Sequence, residues 1–141
     1  MGVARDPGDA GLVEARSKWV LPVGSGIVTQ LRIDAAFTLV MESWIVFRIE
    51  AAFSYGRDGA QRTFDPSDSA GLAPLLKLYR AVVTSAEIRK DGQLTLRFAD
   101  GGALVATSDE NYEAFNVTGT LPPLDRGFHF VAVPGGGLAR F

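Results

Sequence analysis

Between Val83 and Leu104 apolar and polar positions follow a strand-like order. Leu94, Leu96 and Phe98 alternate with Thr95 and Arg97, the two-residue period of a strand that buries one face. Asp91-Gly92 and Asp100-Gly101-Gly102 divide the stretch into three short runs. Asp-Gly tolerates the positive φ angles of a type I′ turn and is the strongest short-range hairpin signal. The pattern predicts a three-stranded antiparallel meander over 83–106.

Upstream, the same reasoning predicts strands from Ile27 onward. Leu31 and Ile33 should face inward, a second run covers 37–41, and a third covers 44–55, rich in the aromatic and β-branched residues that suit a pleated surface. Within that run Ile45, Phe47 and Ile49 oppose Val46, Arg48 and Glu50. Arg57-Asp58-Gly59 reads as a turn, and 61–64 as a short returning strand. The one helix falls between Asp65 and Tyr79, where Leu72, Leu75, Leu76 and Tyr79 form an α-helical stripe. Pro74 would clash with a carbonyl four residues back, so the regular helix is expected to begin close to it. Beyond the meander, strands are expected at 112–117, 128–133 and 138–141, with a loop over 119–127 and a Gly-rich turn at 134–137. Residues 1–18 are small, polar and charged and read as a flexible N-terminal arm. Residues 19–141 read as a single β-rich domain, with Trp19 anchoring its start.

A weak internal echo accompanies these elements. Val28-Thr29 and Ile33 recur 55 positions later as Val83-Thr84 and Ile88, and Phe37-Thr38-Leu39 matches Leu94-Thr95-Leu96 at an offset of 57. The two extra residues are what the turn at Asp91-Gly92 would add. The expected fold is therefore α+β and predominantly antiparallel β: two meanders, as a sandwich or a half-open barrel, with one connecting helix.

Composition narrows the function classes. A chain of 141 residues with 47% hydrophobic and 21% charged residues can bury a core without staples. Net charge is −2 and the pI about 5.3, without the clustered Lys and Arg of a nucleic-acid binder. The absence of Cys removes disulfides, thiolate nucleophiles and zinc–cysteine sites, and suits a reducing compartment. No apolar run approaches the roughly 20 residues of a membrane span, and no secretory signal is visible, so cytoplasmic residence is the expectation.

The chemistry-bearing residues are few. His129 is the only histidine and lies on a strand face with Val131 and Val133. A Ser-His-Asp or multi-His scheme would have one base and no second imidazole. Asp34, Glu50 and Glu113 are among the acids that could pair for acid–base work. Trp44, Tyr112 and Phe115 could line a groove or simply pack. Gly24-Ser25-Gly26 lacks the third glycine and following helix of a dinucleotide fingerprint, and Asp65-Pro66-Ser67-Asp68 lacks calcium-loop spacing. No catalytic, cofactor or metal residue is assigned; Asp34, Trp44, Glu50, Tyr112, Glu113 and His129 remain as the partner or ligand surface.

Several segments together resemble an uncharacterised actinobacterial family of small proteins, a domain of unknown function. They are Val28-Thr29-x-x-Arg32-x-Asp34, Phe37-Thr38-Leu39, Trp44 through Arg48-Ile49-Glu50, Lys90-Asp91-Gly92, Tyr112-Glu113-Ala114-Phe115 (where the family favours Trp in the last position) and Pro134-Gly135-Gly136-x-Leu138-Ala139. The resemblance spans about 19–141 and brings no catalytic residues. In size, acidity and β-rich meanders such proteins look similar to bacterial toxin-immunity proteins, an analogy of style rather than of sites. The leading expectation is a non-enzymatic cytoplasmic interaction module, possible immunity-like behaviour included, that binds a protein partner or itself, and neither nucleic acid nor membrane. The alternative is a small-ligand-binding β-pocket protein or a carboxylate-dependent enzyme.

Overall fold

A computed structural model describes residues 4–5, 12–121 and 126–141. In chain order the strands are β1 (Ala4–Arg5), β2 (Val13–Glu14), β3 (Lys18–Val20), β4 (Val28–Ile33), β5 (Phe37–Met41), β6 (Ile45–Ile49), β7 (Phe53–Gly56) and β8 (Arg62–Phe64). A 3-10 helix (Ala70–Leu78) follows, then β9 (Val83–Arg89), β10 (Gln93–Phe98), β11 (Ala103–Thr107), β12 (Phe115–Leu121), β13 (Arg126–Ala132) and β14 (Leu138–Arg140). They form two antiparallel sheets, ordered β1-β2-β3-β9-β10-β11-β7-β8 and β14-β13-β12-β6-β5-β4. The fold is a sandwich. What was expected of the polar arm before residue 12, Ala4–Arg5 aside, and of residues 122–125 lies outside the described residues.

Alternation decides which residues meet between the sheets. Phe37, Leu39 and Met41 of β5, Ile45, Phe47 and Ile49 of β6, and Leu94, Leu96 and Phe98 of β10 are all buried. Aromatic pairs join the layers: Phe37 stacks on Phe53 at 5.5 Å between ring centroids, and Trp19 meets Phe130 at 5.2 Å. Leu12 is fully buried in the same core.

The internal echo has a structural counterpart in strand register. Each pairing of the β4–β5 ladder has its equivalent in the β9–β10 ladder, from Val28↔Met41 and Val83↔Phe98 to Ile33↔Phe37 and Ile88↔Leu94. Both ladders carry a bulge at the same place, where Thr29 and Thr84 donate their hydroxyls to the carbonyls of Val40 and Arg97 at 3.1 and 3.2 Å. The β5–β6 and β10–β11 ladders correspond as well, Leu39↔Phe47 matching Leu96↔Leu104.

The two units start at one antiparallel bridge, Ile27↔Val82. There Val28 N–H donates to Ala81 C=O (3.0 Å) and Val83 N–H to Gly26 C=O (2.9 Å), a local two-fold arrangement. Ser25 and Arg80, on either side of it, both have positive φ (56° and 68°). After its meander, each unit crosses to the other sheet. β7 pairs with β11, and β12 pairs with β6, so Tyr55↔Leu104 answers Val117↔Phe47. Each sheet thus combines a meander from one half with a hairpin from the other.

Several expectations change. The run 44–55 is two strands in different sheets, since the chain crosses over at 50–52. Leu31 and Ile33 face inward, opposite Leu39 and Phe37, but Leu31 is only half-buried and Ile33 is exposed, because β4 is the outermost strand of its sheet. The helix is 3-10 and contains Pro74, with Leu72, Leu75 and Leu78 buried while Leu76 and Tyr79 are exposed. Three residues per turn select every third leucine, whereas the α-helical period would have selected the other pair. The strand expected at 112–117 begins only at Phe115, and β12 continues into the stretch read as loop.

The Asp-Gly turns are hairpin turns, but not type I′. Only the glycines have positive φ, Gly92 at 98° and Gly101 at 93°, as in loops that close through a left-handed glycine. A Cβ at Gly92 would also stand 2.7 Å from the Gly137 carbonyl, where the β13–β14 turn packs. Gly92→Ala should therefore lower stability by about 1–3 kcal/mol, seen as a lower urea midpoint at unchanged slope. The exchanged hairpins predict a second result. Fragments 1–67 and 68–141 should lack a cooperative near-UV signal as monomers and regain it when mixed; a fragment that folds as a monomer would contradict the arrangement.

Candidate functional site

Two surface regions carry the polar chemistry. The first is the outer face of the six-stranded sheet, where the period of two places Arg32, Thr38, Arg48 and Asn116 in one cross-strand row. Arg48 stands 3.3 Å from Asp34 and 3.8 Å from Glu50, and Asn116 Nδ2 donates to Glu50 Oε1 at 3.0 Å. Asp34 and Glu50 are thus brought together, but with a guanidinium between them on an open sheet face. That geometry bridges the two carboxylates through one guanidinium and keeps them apart. Such exposed pairs stabilise by about 0.2–1 kcal/mol each.

The remaining sequence-selected residues distribute around this face. Tyr112 and Glu113 are exposed in the loop before β12, and Glu50 N–H donates to Ala114 C=O beside them (2.9 Å). His129 lies one row further along β13, opposite Thr118, its ring 5.3 Å from that of Phe141. Trp44 is at the opposite end of β6 from Glu50, 70% exposed, in the turn between β5 and β6. Phe115, by contrast, is fully buried and packs.

Trp44 is strained. Its φ is 65°, a left-handed conformation that costs a residue with a Cβ about 1–2 kcal/mol. Its N–H donates to Met41 C=O at 3.0 Å. In the other half of the fold the same bond, Gly101 N–H to Phe98 C=O at 3.0 Å, is made by a glycine. A tryptophan therefore occupies a position for which the equivalent turn uses glycine.

The second region is a cleft of about 240 Å³ between β7, β8 and the 3-10 helix. Tyr55, Phe64, Pro74 and Leu75 line it together with Arg57, Arg62 and Lys77. Lys77 Nζ lies 5.3 Å from the centroid of the Tyr55 ring, and Arg62 Cζ 5.2 Å from that of Phe64. Arg57 donates to Asp100 Oδ2 at 3.0 Å. The Gly102 N–H on Oδ1 and the Arg57 guanidinium hold the Asp100 carboxyl below its ordinary range. Burial, reinforced by Asp100 and opposed by Arg57, pushes the Tyr55 phenol up. Its hydroxyl is buried without a hydrogen-bond partner among the described residues. Nothing in the linear spacing of these residues signals their convergence: Arg57 reads as part of a turn and Lys77 as a helix residue.

Among the described residues no group of three or more His, Cys, Asp and Glu is placed to hold a metal ion, and no helix is long and apolar enough to cross a membrane. The class is a two-sheet antiparallel sandwich with its ionisable groups on outer faces and at one edge cleft. The chain belongs to a family of unknown function (DUF6188), whose family model matches residues 19–141. No curated protein and no solved structure matches it.

The depressed Asp100 carboxyl has a consequence for acid stability. A carboxylate whose folded pKa lies below its unfolded value of about 3.9 stabilises the fold above that pH, and the contribution is lost as pH falls through the folded value. Asp100→Asn should flatten the stability profile below about pH 4, by less than about 1 kcal/mol for so exposed a pair. Urea midpoints measured for both proteins across that range check it; parallel profiles would contradict it.

Proposed function

We propose that this chain is a non-catalytic protein-binding module that works in the cytoplasm. It would act through the Trp44 turn and the outer face of the six-stranded sheet that runs from it to Asp34, Glu50, Tyr112 and Glu113, with His129 between. The observation that carries this reading is Trp44: a large aromatic side chain, mostly exposed, in a backbone conformation that glycine would adopt without strain. Local strain retained at a surface position points to a role outside folding. Tryptophan is also among the side chains that most often dominate binding energy at protein interfaces.

The acids around Arg48 give the far end of this face fixed charge, suited to orienting a partner more than to holding it. The immunity-like reading rests on the same face: a small acidic module that covers another protein's surface needs no chemistry of its own. The carboxylate-enzyme alternative is weaker, because the two acids that meet are bridged by a guanidinium on an open sheet. Self-association is the special case in which the partner is a second copy, offered the open edge of β4.

Trp44→Gly separates binding from folding. The variant should keep the wild-type far-UV signal and cooperative unfolding, and gain up to about 1 kcal/mol of stability from relief of the left-handed strain. It should lose the stoichiometric partner that wild type retains from its own cell lysate. If wild type retains none, or the variant retains it equally, the proposal fails. Sedimentation of wild type and variant at high concentration tells a foreign partner from a second copy.

A further inference from the structure

We propose that the cleft between β7, β8 and the 3-10 helix is a binding site for a dianionic phosphate group. Three cationic side chains, Arg57, Arg62 and Lys77, converge on a concavity of about 240 Å³ in a protein whose net charge is −2. Asp100 pairs with Arg57 at 3.0 Å and lies within electrostatic reach of Lys77, and both oxygens of that carboxylate are occupied, one by Arg57 and one by the Gly102 N–H. Arg62 and Lys77 form no ion pair among the described residues. Each instead lies over an aromatic face, Arg62 over Phe64 and Lys77 over Tyr55, which holds the two charges at the cleft wall.

Three cationic side chains set against the Asp100 carboxylate leave an excess of two positive charges at one concavity, which matches a group bearing two negative charges. A phosphate monoester carries about −1.5 to −2 at pH 7 and three acceptor oxygens. A guanidinium and an ammonium supply the charge-assisted hydrogen bonds such a group takes. The volume admits a phosphoryl group with a few further atoms.

The symmetry of the fold supplies a control. The cross-strand pair Tyr55↔Arg62 corresponds to Val117↔Phe130 in the other half, where both residues are apolar and buried. The cations are therefore a property of this cleft alone and not a requirement of the shared architecture.

Isothermal titration of the whole protein with inorganic phosphate and with phenyl phosphate, at constant ionic strength, tests the proposal. Saturable one-site binding is expected, with no comparable response to acetate or chloride. Affinity for phenyl phosphate should fall as pH is lowered through about 6, where the monoester takes up a proton. Arg62→Ala and Lys77→Met, both at exposed side chains, should each weaken binding by about tenfold or more. Tyr55→Phe should weaken it less and preserve the core. Tighter binding of the ester than of inorganic phosphate identifies an esterified ligand, and equal binding identifies the free ion. No saturable binding of either, or binding that survives both cation substitutions, overturns the proposal.

Discussion

Everything in this fold depends on two non-local pairings, β6 with β12 and β11 with β7. Each completes a three-stranded meander with a hairpin from the other half of the chain, so neither sheet exists until both halves are present. A lone meander would leave β6 or β11 as an open edge, its N–H and C=O groups unpaired. The exchange removes both edges at once and closes the core in which Phe37 meets Phe53 and Trp19 meets Phe130. The two-fold bridge at Ile27↔Val82 joins the starts of the two meanders. Pairing of this kind joins positions far apart in sequence, which makes folding slow relative to a helical protein of the same length.

Against that repeated frame, the places where the halves differ stand out. The paired turns at 41–44 and 98–101 share a hydrogen bond and a left-handed residue, yet one uses Trp44 and the other Gly101. The hairpins β7–β8 and β12–β13 share register, yet one presents arginine where the other buries phenylalanine. Packing explains what the halves have in common. It does not explain a strained, solvent-facing tryptophan or an excess of positive charge over aromatic rings at one cleft.

Much of the fold was legible because it rests on local periodicity. The alternation of Leu94, Leu96 and Phe98, and of Ile45, Phe47 and Ile49, decides which face is buried whatever the neighbouring strand is. Even the faint recurrence of Val28-Thr29 at Val83-Thr84 proved structural, since both threonines bridge the same bulge. The misread elements share a different cause. Ile33 faces inward yet stays exposed because β4 ends its sheet, and Leu76 and Tyr79 are exposed because the helix around Pro74 winds with three residues per turn. Neither fact is written in the spacing of apolar residues.

The surface chemistry was less legible still. Asp34 and Glu50 stood out as acids, but the arginine between them comes from register, Thr38 and Asn116 flanking Arg48 across the sheet. The sequence by itself determined a Cys-free, mildly acidic, antiparallel β protein with two related meanders, because composition and a two-residue period are local properties. Only the tertiary structure decided that the hairpins cross between sheets, that Trp44 is strained and exposed, and that Arg57, Arg62 and Lys77 share one cleft. Those outcomes depend on which distant strands pair, and a strand's own residues specify its buried face without naming its neighbour.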